Sequence, residues 1–99
     1  MIVVFAQEAL DDLNRIVNAA AEDSGKRSLT LLRELRQGCE GLADMPLRFQ
    51  LVPRYEQAGV RRRVIGHYLI FYRVRVDLVE ILHILHGATD YGPLLFPES

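Results

Sequence analysis

Residues 60–86 read VRRRVIGHYLIFYRVRVDLVEILHILH, and the architecture of the chain is built on them. It holds β-branched and aromatic runs, Val60–Ile65 and Tyr68–Arg75, split at Gly66, which is the signature of a hairpin. Around Val76-Asp77 the chain turns again into a third run, Val79–His86. Three consecutive runs of this kind predict an antiparallel meander. Upstream, residues 46–59 contain Pro46, Pro53 and Gly59 and keep no sustained period, so they read as a surface connection. Before that, from about Ala6 to Asp23, apolar residues fall at Ala9, Leu10, Leu13, Ile16, Val17, Ala20 and Ala21. That spacing marks one face of a helix, with Glu8, Asp11, Asp12 and Asn14 turned to solvent. Asp23-Ser24-Gly25 interrupts the pattern and supplies an N-cap. A second helix follows to about Ala43, with Leu32, Leu35, Cys39 and Leu42 along its stripe and Leu29 and Leu31 beside it. Gly38 and Gly41 weaken its last turns by roughly 1 kcal/mol each relative to alanine. So short a connection makes the two helices an antiparallel hairpin. Ile2–Phe5 is a short strand that joins the sheet. The expected class is α+β: an N-terminal strand, an antiparallel helical hairpin, then a three-stranded antiparallel meander, in the order β-αα-βββ, with the helices on one face.

Ninety-nine residues suit one domain spanning 1–99, large enough to bury roughly two-thirds of the surface its unfolded form exposes. A hydrophobic fraction of 49% beside 25% charged residues excludes a disordered chain. The lone Cys39 cannot form an internal disulfide, and the six apolar residues at the N-terminus are too few for a signal peptide or a membrane span. A cytoplasmic location is the default expectation, with no membrane partner. The net charge of −1 conceals a strong asymmetry. Residues 25–75 hold eleven basic and four acidic side chains, whereas 1–24 hold five acids against one base and 76–99 hold four acids and no base. A basic middle of this kind suits phosphate or an acidic partner, or is simply a solvated surface.

If the basic middle meets a phosphate ester, chemistry there needs a base, an acid for the leaving oxygen, and cations on the phosphate. Arg61, Arg63 and Arg73 are candidate cations, His83 and His86 candidate proton carriers, and Tyr91 lies near them in sequence. Strand alternation puts His83 on the face of Ile81 and Leu85, and His86 on the face of Leu82 and Ile84. Without a bulge only one of the two histidines reaches a common cleft. His83 reads as structural; His86, opening the Gly87-Ala88 turn, is the better functional candidate. Arg61 and Arg63 point one way and Arg62 the other, and charge on an edge strand also blocks aggregation. Tyr68 and Tyr72 read as sheet packing and Cys39 as a core residue. No metal-ligand spacing, phosphate-binding glycine loop or nucleophile elbow is present, so neither metal nor cofactor is expected.

The segments Val64–Val74 and Val79–Asp90 resemble the C-terminal half of ParE toxins, which carry stretches like GxYLIFYRV and VEILxxLHGARD. Ala9-Leu10-Asp11-Asp12-Leu13 and Leu42-Ala43-Asp44-Met45-Pro46 are similar to the two helices of that family. Thr89 stands where the family motif has arginine. The resemblance implies the RelE/ParE fold and a toxin of a type II toxin–antitoxin pair. It implies two mechanisms: RelE-like members cut mRNA in the ribosome, and ParE-like members inhibit DNA gyrase without assigned catalytic residues. It also implies an antitoxin whose disordered C-terminal tail folds over the toxin, and for the ParE branch a ParD-like ribbon-helix-helix dimer. Near-neutral charge and unpaired histidines favour the gyrase inhibitor, which is not an enzyme and needs no sequence-specific nucleic-acid contact. A ribosome-dependent endoribonuclease using Arg61, Arg63, Arg73, His86 and Tyr91 is the alternative. A non-toxic homologue that keeps antitoxin binding is a third, consistent with Thr89. Residues expected to meet antitoxin or target are Arg61, Arg63, Arg73, His86, Asp90 and Tyr91, with antitoxin apolar side chains laid between the helical hairpin and the sheet.

Overall fold

A computed structural model describes residues 1–97. In chain order it has β1 (Ile2–Phe5), α1 (Gln7–Asp23), α2 (Gly25–Glu40), 3-10 turns at Gly41–Ala43 and Glu56–Ala58, β2 (Val60–Ile65), β3 (Tyr68–Val74), β4 (Leu78–His86) and α3 (Gly92–Leu95). The α+β order β-αα-βββ is therefore present. The strands form one sheet in the order β1-β4-β3-β2, with β1 parallel to β4 and the other pairs antiparallel. Gly66, at φ +57°, takes the first place of the two-residue loop between β2 and β3, where a left-handed backbone favours glycine.

Ser24 alone separates the two helices, and both of its ends are used. Its backbone N–H donates to Ala20 O, ending α1, and its Oγ accepts from Arg27 N, starting α2. The helices pack on one face of the sheet. Leu13, Leu35, Cys39 and Leu42 meet Ile70, Tyr72, Ile81 and Ile84 there. Alternation along β3 sends Leu69 and Phe71 the other way, into a second apolar layer with Val52, Val60 and Leu85. Fully burying side chains of this size contributes about 1.5–3 kcal/mol each, so both faces of β3 matter.

That second layer corrects the reading of residues 46–59 as a plain surface connection. Val52 is fully buried; its N–H donates to Val60 O, and Arg62 N donates to Gln50 O. Leu51 bridges Arg61, so the segment covers part of the outer edge of β2. Tyr55 and Ala58 then lie on the outer apolar layer, together with Tyr91, Leu95 and Phe96.

Three further expectations change for physical reasons. First, β4 carries a bulge. Phe71 pairs with His83 and Tyr72 with Ile81, so Leu82 is the extra residue. Ile81 and Ile84, on opposite faces of a regular strand, consequently both reach the helix-side core, while Leu85 enters the outer layer. Second, Asp12 is not turned to solvent: it is 3% exposed, whereas Leu10 is on the outside. Third, Gly38 marks a close approach. A Cβ there would lie 2.9 Å from Ile65 Cδ1, so the cost of glycine to the helix is offset by contact with the sheet.

Candidate functional site

The expected site residues fall in three places. Arg61 and Arg63 lie on the helix side of β2. Arg61 Nη1 donates to Phe49 O at 2.7 Å and reaches Leu47 O at 3.5 Å. Arg63 Nη1 donates to Gly38 O at 2.8 Å, where a cation also suits the C-terminal end of α2. Its guanidinium lies 4.9 Å from the centroid of the Phe49 ring.

On the outer face, Arg73 Nη2 donates to Ala58 O at 3.3 Å. Tyr91 packs its ring on Phe71, with centroids 4.9 Å apart, and its hydroxyl accepts from Arg62 at 3.1 Å. Arg62 was not among the expected site residues, yet alternation from Arg61 and Arg63 already placed it on this face.

His86 occupies the third place, the exposed end of β4. Its Nδ1 accepts from Ala88 N at 3.1 Å, which leaves the proton of a neutral ring on Nε2. The ring lies parallel to His67, centroids 6.2 Å apart, and edge-on to Tyr68. Thr89 N closes the following turn onto His86 O. Asp90 is exposed beyond it. The structure thus joins Tyr91 to Arg62, and it does not bring Arg61 and Arg63 to the same side of the sheet as Tyr91.

His83 belongs to a different constellation, one that sequence reasoning missed. Its Nδ1 lies 2.7 Å from Asp12 Oδ2, which also accepts from Ile84 N at 2.9 Å; Arg15 Nη1 bonds the other oxygen at 3.3 Å. The cause is topological. β1 pairs with β4 only as far as Ile81, and Asp12 of α1 supplies the acceptor for a later N–H on that edge. A signal existed in the sequence: Asp12 follows Ala9 by three and precedes Ile16 by four, so it stands on the buried stripe.

Two other groups are buried without being reactive. Burial pushes the Cys39 thiol up to about 12, with Arg63 offsetting only part of the effect, so it is neutral and a poor nucleophile. Burial likewise raises Tyr72, whose hydroxyl donates to Pro46 O at 2.7 Å. Among the described residues, no three His, Cys, Asp or Glu side chains gather as a metal site would require, and no helix is long and apolar enough to cross a membrane.

An open groove of about 670 Å³ runs between the helical hairpin and the β2–β3 turn. Ile16, Ala19, Ala20, Leu31, Ile65 and Tyr68 give it apolar walls, with Arg15, Asp23, Arg27 and Glu34 also lining it and His67 and His86 on the sheet side. Ala19 and Ala20 stand beside the larger apolar groups and leave the groove open to solvent.

Comparison with known proteins agrees with this geometry. The family profile described as ParE toxin of type II toxin-antitoxin system, parDE, matches residues 3–91. The chromosomal ParDE toxin–antitoxin system from P. aeruginosa superposes with a TM-score of 0.73 at 19% identity, covering 87% of this chain and 95% of that one. The toxin–antitoxin complex RelBE2 from Mycobacterium tuberculosis gives 0.64 at 26% identity, over 86% and 95%. The RelB–RelE antitoxin–toxin complex from Methanococcus jannaschii gives 0.55 at 20% identity, over 95% and 99%. No curated protein sequence matches the chain.

Proposed function

The chain belongs to the ParE toxin family of type II toxin–antitoxin systems, and on that premise we propose that it acts in the cytoplasm by inhibiting DNA gyrase. A ParD-like antitoxin, a ribbon-helix-helix dimer with a disordered C-terminal tail, holds it inactive. The observation that carries the reading is the separation of the would-be catalytic groups. Arg61 and Arg63 donate to main-chain carbonyls on the helix side, while Tyr91 is bonded to Arg62 on the outer face. Cutting RNA requires cations and proton carriers to converge on one phosphate. A protein-directed inhibitor requires only a shaped surface, and a chain with a net charge of −1 is poorly matched to the dense phosphate of a ribosome. The antitoxin tail takes the groove between hairpin and sheet, inserting apolar side chains against Ile16, Leu31 and Ile65.

Purified chain added to gyrase and relaxed plasmid tests this reading. Supercoiling should fall with toxin dose and recover when the antitoxin encoded beside it is added. Intact supercoiling together with mRNA cleavage on programmed ribosomes would contradict it. One observation favours that second activity: Arg62, Arg73 and Tyr91 all belong to the outer face. If RNA is cut, Tyr91→Phe should slow cleavage by about tenfold or more without unfolding the chain. Growth unaffected by induction would instead mark a non-toxic homologue that keeps antitoxin binding.

A further inference from the structure

Away from the groove, two guanidinium groups lie over one aromatic ring and a third is bonded to the main chain of the same residue. Phe49 has Arg63 at 4.9 Å and Arg48 at 5.5 Å from its centroid, and its carbonyl accepts from Arg61 at 2.7 Å. Among the described residues, none of these arginines forms an ion pair with a carboxylate. Arg61 and Arg63 each use only Nη1 in hydrogen bonds, leaving most of their five donors for another partner.

The platform is also held in place. Leu47 O and Phe49 O are bonded to Arg61, and Pro46 O accepts from Tyr72, so residues 46–49 are tied to β2 and β3 at three carbonyls. Beside the charges, Met45 and Leu47 are 56% and 64% exposed. Pinning this segment accounts for the bonds of Arg61 and Tyr72. It does not account for the exposed Arg48 lying over the ring, or for two large apolar side chains facing water on an anchored segment.

We infer that Arg48, Arg61 and Arg63 around Phe49, with Met45 and Leu47 alongside, form a docking surface for an acidic protein segment that also carries apolar side chains. Its carboxylates would meet the guanidinium groups, where planar two-pronged pairing is strongest, and its apolar residues would cover Met45 and Leu47. Arg61 and Arg63, already held by main-chain carbonyls, lose little freedom on binding, which favours such a contact. A peptide suits the surface better than a nucleic acid, because exposed Met45 and Leu47 offer nothing to a phosphate backbone. The inference rests on the reading of the chain as a toxin governed by protein partners, and it names the chemistry of one partner segment.

Fluorescence anisotropy of the full chain with a labelled peptide alternating Glu and Leu tests it. The wild-type chain should bind, with an affinity that falls as salt rises. Arg48→Ala should weaken binding about tenfold and Arg48→Glu should abolish it, since each lost charge-assisted contact is worth about that factor. Leu47→Ser should weaken it by a smaller factor, and a peptide with Lys in place of Glu should not bind. Arg33→Ala, at an exposed arginine of α2 outside the cluster, should leave the affinity unchanged. No binding by the wild type, an equal loss in Arg33→Ala, or tighter binding of a single-stranded DNA of similar length would each overturn the inference. Growth arrest on induction is scored separately, so a chain that binds the peptide but arrests nothing removes the toxin reading and leaves the surface standing.

Discussion

The Asp12 carboxylate receives Ile84 N, His83 Nδ1 and an Arg15 nitrogen, and the first two come from a strand 71 and 72 residues away in sequence. Removing it strands a buried N–H and an imidazole together. Asp12→Ala should therefore cost about 2–4 kcal/mol, read as a lower urea midpoint, because buried partners are left unsatisfied. Asp12→Asn keeps an acceptor for Ile84 and should cost roughly half as much. Equal losses in the two variants would count against this bonding. Cys39 gives a pH prediction. Its thiol is neutral in folded and unfolded chains below roughly pH 8.5. Between there and about 12 the unfolded chain releases the proton and the folded chain keeps it, so stability falls as pH rises. Tyr72, also raised, adds a loss of the same sign at higher pH. From about pH 8.5 upward the slope from Cys39 should reach about 1.4 kcal/mol per pH unit, and Cys39→Ala should remove that share. The charge of Asp12 and its place on the apolar stripe were both legible in the sequence. Its partners were not, because they depend on where β1 stops pairing with β4.

Between elements, α2 and β2 approach most closely at Gly38 and Ile65. Helix propensity alone makes Gly38→Ala favourable by about 1 kcal/mol. A Cβ 2.9 Å from Ile65 Cδ1 and 3.0 Å from Cγ1 forces β2 or its side chain to move, at a cost of about 1–3 kcal/mol. The variant should be neutral to about 2 kcal/mol less stable, and any loss should be partly restored by Ile65→Val in a double-mutant cycle. A more stable Gly38→Ala chain would contradict the close packing. The strands were readable because Tyr68–Val74 is a β-branched and aromatic run, which in the sheet sends Ile70 and Tyr72 to the helices and Leu69 and Phe71 away. The bulge was not readable. Leu82 is as apolar as its neighbours, and only pairing with β3 reveals it as the extra residue. Val52 was hidden in the same way, since a buried residue between prolines carries no period of its own.

Over the whole molecule, the sheet has unequal faces: a helical hairpin covers one, and residues 52–58 with 91–96 cover the other. The apolar groove opens at the end of the hairpin side. If an antitoxin tail fills it, the isolated chain should bind a hydrophobic dye that the complex binds less, because folding of the tail removes that surface from water. Equal dye binding would place the antitoxin elsewhere. Family and the antiparallel meander were legible from residues 60–90, whereas the place of β1, parallel beside β4, was not. The faces of Arg61, Arg62 and Arg63 followed from alternation, but the return of Tyr91 onto Phe71 and Arg62 did not, because it depends on how the chain after β4 packs on the outer layer. That placement separates Arg61 and Arg63 from Tyr91 and underlies the proposal that the toxin acts on a protein. Pulse-labelling of bacteria just after this chain is induced without its antitoxin, following DNA and protein synthesis separately, distinguishes a protein target from the ribosome. DNA synthesis should fall first while translation continues; translation stopping first would make the ribosome the target and contradict the account.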